Sequence, residues 1–505
     1  MKSADCSISI ISRATCHGSS PAIVFEDHVL SYSQILDQSA RIASGLLNGA
    51  DDLNGSRVAF LVEKPSYTSV QWGIWRAGGI AVPLCDVHPM PELDYVIEDS
   101  DANVLIAEGI FIERLEPIAR HRALPLMRLP DLLSSSIGPL PQVGPQRPAM
   151  ILYTSGTTGK PKGAVTTHSQ IEAQITTLIE AWEWTSDDHI LHVLPLHHVH
   201  GIINILCCAL WAGARCETLP RFDADQVWDL FIKRKFTLFM AVPTIYVRLI
   251  TAWEKAPASR RKQMSEACKS FRLMVSGSAA LPVSVLEKWR EITGHTLLER
   301  YGMTEIGMAL SNPLHGKRVP GAVGVPLPGV EVRVVDEAGV PVPEGEEGEL
   351  QVRGPGVFSG YWRRPQESKE SFRDGWFCTG DVAVVDGGVY RVLGRKSIDI
   401  IKTGGYKVSA LEIEEVFRAH PDIADCAVVG VEDPQWGERV CIGIVPKPGK
   451  SLTMDYLRDW GKQRLAPYKV PSRMLILEEL PRNPLGKVTK REVKSLFLKS
   501  SVPAE

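Results

Sequence analysis

The segment Ala149-Met-Ile-Leu-Tyr-Thr-Ser-Gly-Thr-Thr-Gly-Lys-Pro-Lys-Gly163 decides the fold prediction, because an apolar strand runs directly into a loop of small, hydroxylated and basic residues. From Tyr153 onward the loop supplies three glycines, four serine or threonine hydroxyls and two lysines. A bound polyphosphate needs close backbone approach, N–H and hydroxyl donors and a cation. The loop does not match Gly-x-x-x-x-Gly-Lys-[Ser/Thr]. A flexible surface loop has a similar composition, so this segment alone leaves both interpretations open.

Alternating helix and strand patterns surround the loop. Helices are predicted at residues 32–47 and 71–81, and strands at residues 57–62, 81–84, 149–153, 237–241 and 273–275. One such region covers residues 32–219, and a second covers residues 223–299. Repeated strand–helix units predict a doubly wound α/β fold with mostly parallel sheets.

The pattern changes after Pro313. Glycine, proline and short alternating strands at residues 330–335 and 348–353 predict an antiparallel sheet or small β-barrel. Beyond Arg395 a compact α+β unit follows, with helices at 409–419 and 454–464 and a strand at 427–431. We therefore expect a large amino-terminal domain, residues 1–395, of two doubly wound α/β subdomains plus a small β-barrel. A mobile α+β carboxy-terminal domain, residues 396–505, completes the chain.

Composition narrows the class of protein. A chain of 505 residues exceeds what one core supports, and a net charge of −3 provides no basic surface for nucleic acid. The longest apolar run, residues 201–214, is shorter than the ~20 residues of a membrane span and predicts a buried helix. The amino terminus lacks the pattern of a secretory signal, although its serines, Lys2 and Arg13 faintly resemble a transit peptide. We expect the cytoplasm, with the mitochondrial matrix as the alternative.

The complete loop string resembles the phosphate-loop motif of the adenylate-forming (AMP-binding) superfamily, which includes acyl-CoA synthetases, luciferases and peptide-synthetase adenylation domains. Further motifs of that superfamily follow in its order: Gly277-Ser-Ala-Ala280, Tyr301-Gly-Met-Thr-Glu305, Cys378-Thr-Gly-Asp381, Gly394-Arg395, Asp399-Ile-Ile-Lys-Thr-Gly-Gly405 and Asn483-Pro-Leu-Gly-Lys487. The resemblance implies an acid–thiol ligase that uses ATP, Mg²⁺ and coenzyme A.

The same resemblance implies the roles of individual residues. Contacts to ATP or coenzyme A are expected from Thr154, Ser155, Gly156, Thr157, Thr158, Gly159, Lys160, Gly277, Ser278, Tyr301, Asp381, Arg395, Lys402, Gly404 and Gly405. Among these, Tyr301 is expected to stack on adenine, and Asp381 and Arg395 to bind the ribose. Thr304 is expected at the α-phosphate and Glu305 at Mg²⁺. Lys487 is the expected catalytic lysine and Lys396 the hinge.

Histidines cluster in Pro195-Leu-His-His-Val-His-Gly201, which resembles the superfamily's P-x-x-H-x-x-G motif at the acyl pocket. His198 is therefore a candidate catalytic residue, and His200 and Met303 are candidate substrate contacts. A zinc site would need further ligands at suitable spacing, and the sequence offers none nearby. Gating of the pocket or plain packing is the preferred interpretation.

Arg300, directly before Tyr301, suggests which acid is activated. An arginine in an apolar pocket is costly unless it pairs with an anion, and its planar fork suits a second carboxylate. Residues 299–324, 71–79 and 88–100 resemble malonyl-CoA synthetases. We therefore expect malonate, ATP and coenzyme A to give malonyl-CoA, AMP and pyrophosphate, with methylmalonate as a second substrate. Alternatively, Arg300 pairs with a protein carboxylate such as Glu299.

Two other functions stay open at this stage. One is a ligase for short- or medium-chain monocarboxylic acids, in which Arg300 is structural. The other is an inactive nucleotide-binding protein, although all the expected chemical positions are retained at Thr304, Glu305, Asp381, Arg395 and Lys487. The residue that binds the 3′-phosphate of coenzyme A is not fixed; the candidates are Arg221, Lys402, Lys407 and Arg473.

Overall fold

The structure is a computed structural model that describes residues 8–154, 161–396, 398–403, 406–433, 436–483 and 486–500. Ser155, Gly156, Thr157, Thr158, Gly159, Lys160, Gly404 and Gly405, which were predicted to contact ATP or coenzyme A, lie outside these residues. None of the described helices combines the length and the apolar character that a membrane crossing requires.

A seven-stranded sheet carries the strand that leads into the phosphate loop. In spatial order its strands are Gly360–Tyr361, Lys162–Thr167, Pro148–Thr154, Ile80–Pro83, Arg57–Leu61, Val104–Ala107 and Leu126–Arg128. The five strands from Pro148–Thr154 to Leu126–Arg128 are parallel, whereas Lys162–Thr167 returns antiparallel to Pro148–Thr154. The predicted strand at 149–153 is therefore confirmed, and its carboxyl end opens into the loop.

A nine-stranded sheet forms the second layer. In spatial order its strands are Val325–Pro326, Gly307–Ser311, Leu298–Met303, Leu273–Ser276, Leu238–Ala241, His189–His192, Arg215–Thr218, Pro21–Phe25 and His28–Ser31. The six strands from Leu298–Met303 to Pro21–Phe25 are parallel. The doubly wound α/β prediction is confirmed by these two sheets.

The assignment of sequence regions to subdomains was wrong in one respect. His189–His192 and Arg215–Thr218 fall in the region predicted as the first α/β unit, yet they pair within the nine-stranded sheet. Pro21–Phe25, near the amino terminus, also belongs there, parallel to Arg215–Thr218. The chain crosses between the sheets, and strand–helix alternation reports local structure but not which sheet a strand joins.

The helices account for most of the chain between these strands. They are Ser9–Ala14, Tyr32–Leu47, Lys64–Arg76, Met90–Asp99, Phe111–His121, Leu129–Leu133, His168–Trp182, Cys208–Ala212, Ala224–Lys233, Pro243–Lys255, Ala258–Ala267, Val283–Thr293, Pro365–Glu370, Ala410–Arg418, Met454–Lys462 and Lys490–Lys499. Two short 3₁₀ turns, Cys268–Ser270 and Pro467–Lys469, and a π-helix, His200–Cys207, complete the set. The predicted buried helix at 201–214 is thus a π-helix continued by Cys208–Ala212, and it ends at Gly213 with φ +81°.

The predicted helix at 71–81 has the wrong bounds. The observed helix is Lys64–Arg76, with Pro65 in its first turn, where a missing N–H costs nothing. Gly78, at φ +79°, turns the backbone between the end of this helix and the strand Ile80–Pro83. The helix is buried on nearly every side, including Thr68 and Ser69, so no amphipathic period marks its start.

The antiparallel region predicted after Pro313 is present. Its sheet has the order Glu331–Val335, Gly348–Arg353, Trp376–Asp386 and Phe372–Arg373, and Val389–Arg395 also pairs with Trp376–Asp386. Every one of these pairs is antiparallel, and their inward side chains form a separate apolar core around Leu350 and Phe377.

The last part of the chain forms an α+β unit. Its sheet has the order Tyr406–Ser409, Ile400–Thr403, Gly437–Pro446 and Ile423–Asp433, with Arg473–Ile476 parallel to Gly437–Pro446. The helices Ala410–Arg418 and Met454–Lys462 pack on it around Phe417 and Leu457. Lys396 follows the strand Val389–Arg395; its side chain is exposed, and its backbone N–H donates to Gly380 at 2.9 Å.

Candidate active site

The candidate site lies at the carboxyl ends of parallel strands, where open α/β sheets bind their ligands. The strand Pro148–Thr154 ends at the phosphate loop, and Leu273–Ser276 leads into Gly277 and Ser278. Arg300, Tyr301 and Met303 lie on Leu298–Met303, and a turn containing Thr304 and Glu305 follows. Strands of both large sheets therefore supply the residues of the site.

Arg300 is a buried cation without a counterion in the part of the chain that the structure describes. Its side chain is only 3% exposed, and its Nε and Nη2 atoms are buried with no hydrogen-bond partner among the described residues. Burial lowers the pKa of Arg300 to about 9. The guanidinium lies against Gly277: a Cβ at that position would be 2.6 Å from the Arg300 Cζ. The turn after Leu273–Ser276 therefore requires a glycine where the arginine passes.

Glu299 does not neutralise Arg300. Its Oε1 accepts a hydrogen bond from the backbone N–H of Leu281 at 3.0 Å, and its Oε2 is buried without a partner in the described structure. Burial is the main cause that raises the pKa of Glu299 to about 8, so this carboxyl group is mostly protonated at neutral pH. The alternative in which Glu299 forms an ion pair with Arg300 is thus not the arrangement found.

The histidines of the 195–201 segment lie beside this arginine. His200 is buried, and its Nδ1 is 3.1 Å from the Oγ of Ser278, while its Nε2 has no partner among the residues described. The pKa values of His198 and His200 are lowered well below the usual range, chiefly by burial. Lys487 adds to both shifts, and Arg300 adds to that of His200. Both rings are therefore neutral and face cations.

Lys487 brings the carboxy-terminal unit into the same site. Its backbone N–H donates to the Asn483 side chain at 3.0 Å, and at Gly486 a Cβ would lie 3.2 Å from Thr244 Oγ1 on the helix Pro243–Lys255. The residue is exposed to solvent. Desolvation by the surrounding protein, followed by the charges of Arg300 and Arg395, nevertheless lowers the pKa of Lys487 to about 8.

Asp381 is a buried carboxylate with two side-chain partners. Its Oδ2 accepts a hydrogen bond from the Tyr301 hydroxyl at 2.5 Å, and its Oδ1 accepts one from Arg395 Nε at 2.9 Å. Burial raises the pKa of Asp381, and Arg395 opposes that shift. The structure therefore brings Tyr301, Asp381 and Arg395 together, and the tyrosine hydroxyl donates to the carboxylate.

Glu305 is a buried acid with a fixed orientation. The hydroxyl of Tyr361 donates to its Oε1 at 2.9 Å, and desolvation raises the pKa of the carboxyl. A buried carboxylate beside the Thr304 hydroxyl is an oxygen donor set that suits Mg²⁺, since a bound cation would offset the cost of desolvation. The residues present therefore fit a magnesium ion.

Other predicted residues lie at the edges of this cluster. Thr154 ends its strand, and its hydroxyl reaches the Lys162 carbonyl at 3.5 Å, a long contact. Lys402 is exposed on Ile400–Thr403, where its backbone N–H donates to Glu438 at 2.9 Å. Met303 is half-buried at the end of its strand. The charges that act on Lys487 are those of Arg300, Arg395 and Asp381, and Lys402 is not one of them.

Sequence analysis missed two residues that shape the site. Tyr361, which orients Glu305, is on the short strand Gly360–Tyr361 at the edge of the seven-stranded sheet. Glu299 was considered only as a counterion of Arg300, and its protonation follows from burial that a sequence does not display. Neither residue is part of a recognisable motif, so only the packing of the two sheets brings them in.

Comparisons with known proteins identify the family of this chain. The profile described as AMP-binding enzyme matches residues 12–362, and that of the AMP-binding enzyme C-terminal domain matches residues 412–487. The chain is 47% identical to the mitochondrial malonate–CoA ligase of Mus musculus, over 97% of this chain and 90% of that protein. It is 41% identical to a malonate–CoA ligase of Arabidopsis thaliana, over 94% and 85% of the two chains.

Solved structures of related enzymes superpose on this chain over nearly its full length. ATP-bound MatB from Rhodopseudomonas palustris superposes with a TM-score of 0.91 at 34% identity, covering 98% of this chain and 99% of that one. O-succinylbenzoate coenzyme A synthetase from Bacillus subtilis, in complex with AMP, superposes with a TM-score of 0.85 at 26% identity, over 99% of both chains. With both family profiles matched and near-complete relatives above 30% identity, the chain belongs to the AMP-binding enzyme family.

Proposed function

We propose that this chain is an ATP-dependent malonate–CoA ligase, which converts malonate, ATP and coenzyme A into malonyl-CoA, AMP and pyrophosphate through a malonyl-adenylate. Membership of the family makes the chain an AMP-forming acyl-CoA ligase. The names of the mouse and Arabidopsis relatives support malonate as the acid. Methylmalonate, which adds one methyl group between the same two carboxylates, is the proposed second substrate.

The observation that carries the choice of acid is the unpaired Arg300. Two of its nitrogens are buried with no acceptor within the described ranges, and Oε1 of the neighbouring Glu299 is bound to the Leu281 backbone N–H. Burying an unpaired charge is expensive, so a ligand that pairs with it gains affinity. A carboxylate can accept two parallel N–H bonds from one guanidinium. Malonate offers that second carboxylate, whereas acetate, propionate and longer monocarboxylates leave Arg300 unpaired.

In the first half-reaction, a carboxylate oxygen of malonate attacks the α-phosphorus of ATP, and pyrophosphate leaves. Both reactants are anions, so the site must offset their repulsion. We assign this role to Lys487, with Thr304 as a hydroxyl donor to the α-phosphate. Arg300 also positions the acid. His198 and His200, neutral beside these cations, would border the acyl group without adding charge.

Magnesium and the nucleotide are assigned to neighbouring residues. Glu305, oriented by Tyr361, would hold Mg²⁺, which neutralises phosphate charge when bound. Asp381 and Arg395 would bind the ribose hydroxyls, and Tyr301, tied to Asp381, would present its ring to the adenine together with Gly277 and Ser278. The phosphate-loop residues 154–160 would bind the β- and γ-phosphates with backbone N–H groups, hydroxyls and Lys160.

In the second half-reaction, the thiol of coenzyme A attacks the acyl carbonyl carbon and AMP leaves. We propose that the carboxy-terminal unit, residues 396–505, rotates about Lys396 between the halves. Lys487 would then leave the site, and the face that contains Lys402, Gly404 and Gly405 would replace it. The exposed position of Lys396 directly after Val389–Arg395 supports a hinge there.

One pair of measurements tests this division of labour. Lys487→Ala should abolish pyrophosphate release from ATP and malonate, yet retain malonyl-CoA formation from supplied malonyl-adenylate. The exposed Lys499→Ala variant, on the last helix, serves as the matched control. Loss of both half-reactions in Lys487→Ala, with the control active, would contradict the assignment.

A substrate panel tests the proposed function itself. Pyrophosphate release is measured with ATP, Mg²⁺, coenzyme A and one of four acids: malonate, methylmalonate, propionate or octanoate. We expect malonate to give the highest kcat/KM, followed by methylmalonate. A preference for octanoate or propionate would instead support the monocarboxylate ligase, and no turnover with any acid would support an inactive nucleotide-binding protein.

Two cellular locations were expected from the sequence, the cytoplasm and, as the alternative, the mitochondrial matrix. The mitochondrial names of the vertebrate relatives favour the matrix over the cytoplasm. Localisation of the full chain with a carboxy-terminal fluorescent tag distinguishes them, and a diffuse cytoplasmic signal would support the cytoplasm. A role in fatty acid metabolism would follow if the malonyl-CoA product serves as an acyl building block.

A further inference from the structure

Three potential metal ligands meet where segments that follow strands of the two large sheets come together. One ligand atom each from Cys85, Asp86 and His197 lies within 4.8 Å of the other two. None of these residues was assigned to ATP, magnesium, malonate or coenzyme A. We propose that they form a binding site for a divalent transition metal of the zinc class, separate from the magnesium position at Glu305.

The fold brings the three residues together from distant parts of the chain. Cys85 and Asp86 follow the strand Ile80–Pro83 of the seven-stranded sheet. His197 follows the strand His189–His192 of the nine-stranded sheet, in the segment before the π-helix. Cys85 is buried, His197 is half-buried and Asp86 is exposed. An ion could therefore enter from the solvent side and reach the thiol within.

The donor set defines the class of ion. A thiolate, an imidazole and a carboxylate together favour Zn²⁺ over Mg²⁺ or Ca²⁺, which prefer oxygen ligands alone. A tetrahedral ion holds its ligand atoms about 3.5 Å apart. Because the three ligand atoms lie within 4.8 Å of one another, no pair has to approach by more than about 1.3 Å on binding. The exposed Asp86 carboxylate can supply that movement. The ring centre of His88 is 6.0 Å from that of His197, and its Nε2 is 3.4 Å from Glu92 Oε2. The fourth position can be filled by His88, if it leaves Glu92, or by water.

Binding of an ion changes the protonation of the ligands. Zn²⁺ binds cysteine as the thiolate and histidine as the neutral imidazole, so uptake of an ion displaces the thiol proton of Cys85. Each ion bound should therefore release one proton.

A simpler interpretation treats the three residues as unrelated. Buried cysteine often behaves as a small apolar side chain, and an exposed aspartate needs no partner. This interpretation predicts no metal bound through sulfur. The two interpretations differ in a directly visible property, because a thiolate bound to Co²⁺ gives a sulfur-to-metal charge-transfer absorption and a carboxylate does not.

The test uses the full-length reduced protein, freed of metal with a chelator, and Co²⁺ followed by Zn²⁺ as probes. We expect Co²⁺ to produce the charge-transfer absorption at one equivalent, and Zn²⁺ to remove it by displacement. Cys85→Ser should abolish the absorption. His197→Gln and Asp86→Asn should weaken Zn²⁺ binding by about tenfold or more, measured by competition with a chromogenic chelator.

Matched controls are available on the surface. Cys16→Ser removes an exposed thiol and His28→Gln an exposed imidazole, and both should retain the absorption and the affinity. Asp86 is exposed, so Asp86→Asn should fold normally and report on metal binding alone. Circular dichroism checks that each variant keeps the secondary structure of the wild type. Absence of the absorption in the wild type, or its full retention in Cys85→Ser, would overturn the proposal.

Discussion

Removing the Glu415 carboxylate should shift the balance between the two half-reactions. Glu415 lies on the helix Ala410–Arg418 of the carboxy-terminal unit, and its Oε1 accepts a hydrogen bond at 3.0 Å from the backbone N–H of Val283. Val283 begins the helix Val283–Thr293 of the large unit, which has no side-chain cap of its own. The Glu415 carboxylate therefore caps a helix of the large unit from the carboxy-terminal unit, which is the unit proposed to rotate.

The size of the effect follows from the cap. Replacing an N-cap acceptor by alanine typically costs about 1 kcal/mol of helix stability. The contact exists in the arrangement that places Lys487 in the site, and rotation about Lys396 would break it. Glu415→Ala should therefore disfavour the adenylate-forming arrangement by about 1 kcal/mol, a roughly fivefold shift in the equilibrium between the two arrangements.

The assay compares the two half-reactions in the same variant. Adenylation is measured as malonate-dependent exchange between ATP and pyrophosphate, and thioester formation as single-turnover release of AMP from supplied malonyl-adenylate and coenzyme A. The ratio of the first rate to the second should fall about fivefold. Glu412→Ala is the control, since Glu412 lies on the same helix but pairs with Lys469 of the same unit, at 2.6 Å. An unchanged ratio in Glu415→Ala, or an equal change in Glu412→Ala, would refute the reasoning.

Three further predictions concern the site itself. Lys487 has a pKa of about 8, and its charged form is the active one, so kcat/KM for adenylation should fall as the pH rises through about 8. A profile that stays level well above that pH would contradict the role of the ammonium group. Gly277→Ala would place a Cβ 2.6 Å from Arg300 Cζ, so KM for malonate should rise more than KM for ATP in steady-state kinetics. Equal increases would show a general distortion instead. Tyr361→Phe removes the hydrogen bond that orients Glu305, and the Mg²⁺ concentration for half-maximal activity should rise about threefold to tenfold; an unchanged requirement would argue against Glu305 as the ligand.

Part of the fold was predictable because the local sequence determines it. Ser31 and Gln34 form a capping box at the start of Tyr32–Leu47, and the apolar spacing of that helix predicted both of its ends. The strand Gly348–Arg353 was also predicted with its observed bounds, since glycine and proline in the flanking segments mark its ends. In such segments the pattern and the tertiary environment agree.

Other parts were not predictable from the sequence. The helix Lys64–Arg76 is buried on nearly all sides, so its apolar residues show no period that could mark the ends. The sheet to which a strand belongs depends on long-range pairing, as Pro21–Phe25 shows by joining Arg215–Thr218. Both errors arose where packing, and not local pattern, decides the structure.

The candidate site also has residues that the sequence predicted and features that only the structure revealed. Motifs located Lys487, Glu305 and Asp381, because their chemistry depends on short, ordered strings of residues. The protonated state of Glu299 and the proximity of Cys85 to His197 depend on burial and on loops from two different sheets. No spacing in the sequence reports either of them.

The central claim is that Arg300 selects an acid with a second carboxylate, and one comparison tests it most directly. Exchange between ATP and pyrophosphate is measured with malonate and with propionate in the wild type, Arg300→Ala and Arg300→Lys. The wild type should prefer malonate. In Arg300→Ala, kcat/KM for malonate should fall by roughly two orders of magnitude, because losing one partner of a buried charge pair costs about 3 kcal/mol. The value of kcat/KM for propionate should stay the same or increase. Arg300→Lys should restore malonate in part. If Arg300→Ala keeps the wild-type preference for malonate, the arginine does not bind the second carboxylate and the claim is wrong.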